Sequence, residues 1–212
     1  MQRARALVGH LLFMGLICAA GGNAYGRDWT LEKTNNQVSI YTRYQTDNQL
    51  SEKYLQVRAV TTVTAKPMAL MALLNDIEQA PKWIANCIDV KILASPSPTS
   101  FVVQSVFSAP WPLKNRDMIT YSLSDIENDN LVITITDVGA QYPANADIVR
   151  MTQVSGEWRV QQVTAETVEI SYQGSGDPAG NIPTWLANKV LVDSTYQTFI
   201  NLSQIIEKDK YQ

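Results

Sequence analysis

The sequence predicts an α+β fold, an antiparallel β-sheet with one long helix at the C-terminus. Three observations predict it. From Asp89 to Gln173 the chain reads as strand after strand, separated by short polar turns such as "ENDN" and "VSGE", and short connections favour antiparallel neighbours. Glycine and proline then cluster from Gly174 to Pro183. A single long helical pattern follows, running to about Ile206. No internal repeat or low-complexity linker interrupts the chain.

The first residues read as an address. Arg3 and Arg5 form a positive n-region, Ala6 to Ala20 is mostly apolar, and Gly21, Gly22 and Ala24 are the small residues a signal peptidase requires. The apolar run is too short for a bilayer core of about 30 Å, so an uncleaved anchor is the lesser alternative. A lipoprotein leader fits poorly, because Ile17 precedes Cys18 where a small residue is needed. Residues 1–24 are therefore expected to be a cleaved signal peptide, with cleavage near Ala24 or Gly26. Residues 25–212 are expected to form one exported domain, periplasmic or secreted, of roughly 188 residues.

Removing the leader narrows the chemistry. His10 is the only histidine and leaves with it. A Ser-His-Asp triad, a Cys-His pair and histidine metal sites are excluded in the remainder. Cys87 is the one cysteine left, so an intrachain disulfide and a cysteine zinc site are excluded too. A lone cysteine of this kind is expected to be buried. The formal charge of −3 becomes −5 once Arg3 and Arg5 are gone. An acidic chain without a basic run lacks the footprint of a nucleic-acid binder, and an anionic membrane does not attract it as a whole.

Taken in order, "VSIYTRY" and "SEKYLQVRAVTTV" read as a hairpin across a polar turn at Thr46 to Gln49. In the second strand Leu55, Val57, Ala59 and Thr61 alternate with Gln56 and Arg58. In "TAKPMALMALLNDIEQAPKWI" Thr64 is a candidate cap and Pro67 suits a first helical turn. Met68, Met71, Ala72, Leu73 and Leu74 form an apolar surface. The two methionines are either ligand-facing or core filler, the latter being commoner. Pro81 is expected to end or break this helix, with a second short turn at Trp83 and Ile84. Alternation in the later strands puts Met118, Thr120 and Ser122 on one face.

The closing helix starts at Pro183, with Asn181 as a nearby cap. Leu191, Ser194, Thr198 and Leu202 share one side, and Trp185, Val192, Tyr196 and Phe199 another. Two hydroxyls among leucines suit a cavity that holds an apolar molecule with a polar end. They equally suit a core face whose hydroxyls bond back to the helix. Both readings stand from sequence alone.

The stretch "APWPLKNRD", residues 109–117, interrupts the strands. Pro110 and Pro112 cannot donate ladder hydrogen bonds, so it is an edge, a bulge or a loop.

Particular segments resemble the START domains, the lipid-transfer family related to steroidogenic acute regulatory protein. "PWPLKNRDMITY" resembles the family's proline-containing segment that ends in Arg-Asp, here Arg116 and Asp117. "DIVRM" resembles a strand carrying an arginine, here Arg150, and "NIPTWLANKVLVDSTYQTFINL" resembles the closing helix. Trp29 and "VSIYTRY" fit the opening. The resemblance spans about Trp29 to Ile206 and rests on the order and spacing of these segments. It implies a helix-grip fold, a curved antiparallel sheet wrapped around the C-terminal helix, with a lipid cavity between them. The 109–117 stretch would be a loop near the cavity mouth. Trp111 would face the entrance or a membrane interface, and Arg116 and Asp117 would fix the loop rather than bind ligand. Sterol-binding members resemble one another in an inward arginine paired with an acid on the preceding strand. The matching positions here hold Ser122, and Val103 and Gln104, which puts sterol specificity in doubt.

The expected cavity lining is Val103, Met118, Thr120, Ser122, Leu191, Ser194, Thr198 and Leu202, with Trp111, Arg116 and Asp117 at the mouth. The expected function is non-catalytic binding and transfer of a lipid or other hydrophobic small molecule. No cofactor or metal is expected, and the chain is expected to act as a monomer with transient membrane contact. Two alternatives accompany it. One is an enzyme like the aromatase/cyclases, whose acid–base work would fall to Asp, Glu, Tyr or Lys. The other is a structural adaptor whose own side chains fill the cavity.

Overall fold

The computed structural model describes residues 28–44, 54–127 and 130–212. The leader, the expected turn at Thr46 to Gln49 and part of "ENDN" lie outside the described residues. Strands β1 (Thr30–Thr34), β2 (Val38–Tyr44) and β3 (Leu55–Thr64) open the fold. Helices α1 (Ala69–Asn75) and α2 (Ala80–Trp83) follow, joined by a 3-10 turn at Ile77–Gln79. Then come β4 (Cys87–Ser97), β5 (Ser100–Phe107), β6 (Arg116–Glu127), β7 (Asn130–Asp137), β8 (Val149–Arg150), β9 (Thr152–Gln162) and β10 (Thr167–Asp177). Helix α3 (Thr184–Ile205) closes the chain.

Among the described residues the ten strands form one sheet in the order β1-β2-β3-β10-β9-β7-β6-β5-β4, with β8 beside β6. Every neighbouring pair is antiparallel except β6 and β8. The expected α+β class, with antiparallel strands gripping the last helix, is what the chain forms.

Five local expectations are corrected. Strand β1 was not anticipated, and it pairs with β2 from Thr30↔Thr42 to Thr34↔Ser39. Thr64 does not cap α1. It ends β3, opposite Thr167. Pro81 lies in the first turn of α2, where its missing N–H costs nothing, and the chain breaks earlier at Asp76. "VSGE" is not a turn. Residues 155–157 pair with β10 on one side and β7 on the other, in the middle of the sheet. Helix α3 is capped by Pro183 with no side-chain cap, so Asn181 plays no such part.

The solid core lies at one end of the sheet. Val38, Ile40, Val57, Ala59, Val168 and Ile170 supply its floor, and Leu70 and Leu73 of α1 pack there with Phe199, Leu202 and Ile206. Cys87 is buried, as expected, and desolvation pushes its thiol pKa up. Among the described residues no helix is long and apolar enough to cross a membrane.

Candidate functional site

Away from that core, the sheet and α3 separate and leave a partly enclosed cavity of about 410 Å³. Alternation builds its wall. On β6, Arg116, Met118, Thr120, Ser122 and Ser124 face inward. The β5 register sets Phe107, Ser105, Val103 and Phe101 opposite the first four of these, and all of them line the cavity. Val90 and Ile92 of β4, and Ile133 and Ile135 of β7, extend the same surface. Met71 and Leu74 of α1 close it from above, while Met68 points out and is exposed.

The opposite wall is α3. Ala187, Asn188, Val190, Leu191, Ser194, Thr195, Thr198 and Phe199 line the cavity. Ser194 donates its hydroxyl back to the Val190 carbonyl at 2.5 Å, and Thr198 Oγ1 accepts the Ala85 N–H at 3.0 Å. Both readings of this mixed face are therefore partly realised: Ser194 bonds back to the helix, Thr198 is held by the distant Ala85, and the face still borders a void. Leu202 is a correction. It is fully buried in the solid core, because one turn beyond Thr198 the helix has reached the strands and α1. Trp185 is exposed.

Val103, Met118, Thr120, Ser122, Leu191, Ser194 and Thr198 all border the cavity, and the interior is not filled by side chains. The expectation missed an aromatic cluster where cavity meets core. Trp158 stacks on Phe199 with ring centroids 5.6 Å apart, and Trp83 and Tyr172 adjoin it at 6.4 and 4.7 Å. Gly156 and Gly174 pair across β9 and β10, and a Cβ on Gly174 would stand only 2.2 Å from Tyr172 Oη. The ring of Tyr172 thus lies over two glycines, and burial pushes its pKa up to about 12. The period-two pattern of β9 and β10 was the available signal, but the supposed turn at "VSGE" hid it.

The Arg116–Asp117 pair divides across the strand. Asp117 turns away from the cavity, nearly fully buried, and accepts Arg150 Nε at 2.7 Å and Gln104 Nε2 at 2.8 Å. Arg150 also donates to the Gly139 carbonyl at 2.8 Å. Asp117 is therefore a fastener for the 138–151 segment and not a mouth residue. Arg116 faces the cavity and donates to the Lys114 carbonyl through Nη1. Desolvation lowers its pKa. Ser122, at the position of the sterol-type arginine, donates to the Phe101 carbonyl at 3.3 Å.

Residues 108–115 form the loop between β5 and β6, so the two prolines do mark a break in the sheet. Leu113 N–H bonds the Pro110 carbonyl at 2.9 Å, and Ala109 N–H bonds Asn115 Oδ1 at 3.3 Å. Pro110 borders the cavity, whereas Trp111 is 92 % exposed and points away from it. Among the described residues no group of three His, Cys, Asp or Glu could hold a metal ion.

This geometry has counterparts among known proteins. The START domain model matches residues 22–203. An uncharacterized protein of Pseudomonas aeruginosa is 30% identical over 203 residues, covering 93% of this chain and 98% of that protein. Human START domain-containing protein 10 is 31% identical over 121 residues, 57% of this chain and 42% of that protein. Among solved structures, a STAR-related lipid transfer protein from Xanthomonas axonopodis superposes with a TM-score of 0.75 at 24% identity, over 85% of this chain and 99% of that one. Human StAR-related lipid transfer protein 5 does so with a TM-score of 0.73 at 16% identity, over 84% and 86%. With a matched model over most of its length and a sheet that grips the last helix around a cavity, the chain belongs to the START domain family.

Proposed function

We propose that this protein is a non-catalytic carrier that binds a lipid or similar hydrophobic molecule between sheet and helix and transfers it. The observation that carries this reading is the cavity itself, about 410 Å³ with a mostly apolar wall. That lies within the range of about 300–1,000 Å³ typical of small-molecule pockets. An empty apolar space of this size costs packing energy in the apo protein, and an apolar ligand restores it. The names of the similar solved proteins, lipid transfer proteins, support the same reading.

The setting belongs to the proposal as well. A cleaved leader at residues 1–24 would put the domain of residues 25–212 in the periplasm or outside the cell. There a lipid must cross water, and a closed apolar compartment lowers the cost of that transit. Trp111, exposed on the loop between β5 and β6, is suited to brief contact with a membrane interface. The carrier acts as a monomer. The test is native mass spectrometry of the protein purified from its own host. A co-purified lipid at a fixed stoichiometry is expected, and a chemically altered product released on turnover would overturn the non-catalytic reading.

A further inference from the structure

The wall of the cavity carries a single charge among the described residues. Among its described lining residues there is no Asp, Glu, Lys or His, and Arg116 is the one ionic group. It is 7 % exposed, and no carboxylate among the described residues pairs with it. The neighbouring Asp117 is committed to Arg150 and Gln104 on the other side of the sheet. Arg116 is therefore a buried cation without a counter-charge among the described residues. Such a group is costly unless something pairs with it.

The direction of its free donors is specific. Nη1 is used by the Lys114 carbonyl. Among the described residues neither Nε nor Nη2 has an acceptor. These two N–H groups lie on one edge of the guanidinium, the edge that forks a carboxylate or phosphate. Nη2 stands beside Gly180, where an added Cβ would come within 3.7 Å. Gly180 has φ +68°, so a side chain is disfavoured there on backbone grounds as well. The guanidinium thus sits where the 108–115 loop meets the segment leading into α3, at one end of the apolar wall.

We propose that Arg116 is the headgroup site of this cavity, and that the cargo is an anionic amphiphile whose carboxylate or phosphate forks onto the Nε–Nη2 edge while its hydrocarbon lies along β5, β6 and α3. The inference rests on reading the cavity as a lipid site and adds the charge and placement of the head. It reverses the expectation that Arg116 only fixes the loop.

The experiment compares matched probes on the purified, delipidated protein by calorimetry: oleate, oleyl phosphate, oleyl alcohol and inorganic phosphate. Oleate or oleyl phosphate is expected to bind about tenfold or more tighter than oleyl alcohol, the margin of a charged hydrogen-bonded pair. The tighter of the two anions identifies a carboxylate or a phosphate head. Arg116→Met is expected to erase that margin and leave oleyl alcohol unchanged, and Arg116→Lys to keep part of it. Equal binding of oleate, oleyl phosphate and oleyl alcohol by the wild type would overturn the headgroup site while leaving the carrier reading intact. Failure of every amphiphile to bind would overturn both. Inorganic phosphate binding as tightly as oleyl phosphate would assign a free anion and overturn the amphiphile. If Arg116→Met does not fold, the wild-type comparison decides by itself.

Discussion

Asp117 and Arg150 show how much one buried pair can hold. The carboxylate is 2% exposed and the guanidinium 14%, and together they tie β6 to the 138–151 segment. Asp117→Asn leaves Arg150 charged and poorly compensated. A loss of about 3–5 kcal/mol is expected, read as a lower denaturant midpoint. The double variant Asp117→Leu/Arg150→Met should recover much of it, because no unpaired charge remains. Tyr172 gives a second residue-scale expectation. Its pKa rises from 10.0 in the unfolded chain to about 12 in the fold. The folded protein therefore holds that proton more tightly. The associated stability is fully present below about pH 10 and is lost as the pH climbs through 12. Thermal midpoints measured across that window should fall for the wild type and fall less for Tyr172→Phe.

At the scale of an element, α3 does two jobs along its length. Its C-terminal turns carry Phe199, Leu202 and Ile205 into the core, while Leu191, Ser194 and Thr198 overlook the cavity. A bulky residue should therefore have opposite effects at the two ends. Ser194→Trp is expected to abolish lipid occupancy and to melt close to the delipidated wild type, since an indole has room to enter the void. Were that face solidly packed, overpacking would cost about 1–3 kcal/mol and the midpoint would drop whatever the ligand content. Measuring occupancy and midpoint in one preparation separates the two. Leu202→Ala makes the converse case. It removes a core side chain with no exposure, so a loss of about 2–5 kcal/mol is expected with no selective effect on loading.

For the whole molecule, the division into a solid end and a hollow end makes binding and stability separable. Ligand bound only to the folded state raises the apparent midpoint by mass action. Delipidated protein is thus expected to melt lower than protein isolated with its cargo, and re-addition of the extracted lipid should restore the difference. Equal midpoints before and after extraction would count against a specific occupant. The proposed leader is checked at the same scale. Mass analysis of the exported form is expected to give an N-terminus near Tyr25 or Arg27, whereas intact Met1 in a membrane fraction would refute cleavage.

The sequence by itself determined the class, most strands and the closing helix, because period-two and helical patterns are local consequences of which face each element buries. It also placed Met118, Thr120 and Ser122 on one face, since a strand offers only two. It could not say how far along α3 the void runs, so Leu202 was assigned to a cavity that ends one turn earlier. Nor could it see that "VSGE" lies in mid-sheet, because Gly156 is explained only by the Tyr172 ring packed above it from the neighbouring strand. The resemblance pointed to the side of β6 that faces the void, but only the tertiary structure showed what this choice does to Arg116 and Asp117. That choice separated two adjacent charges, giving Asp117 a buried partner and leaving Arg116 facing the cavity without one. The physical reason is that strand alternation fixes which residues share a face, while long-range packing alone decides what that face meets.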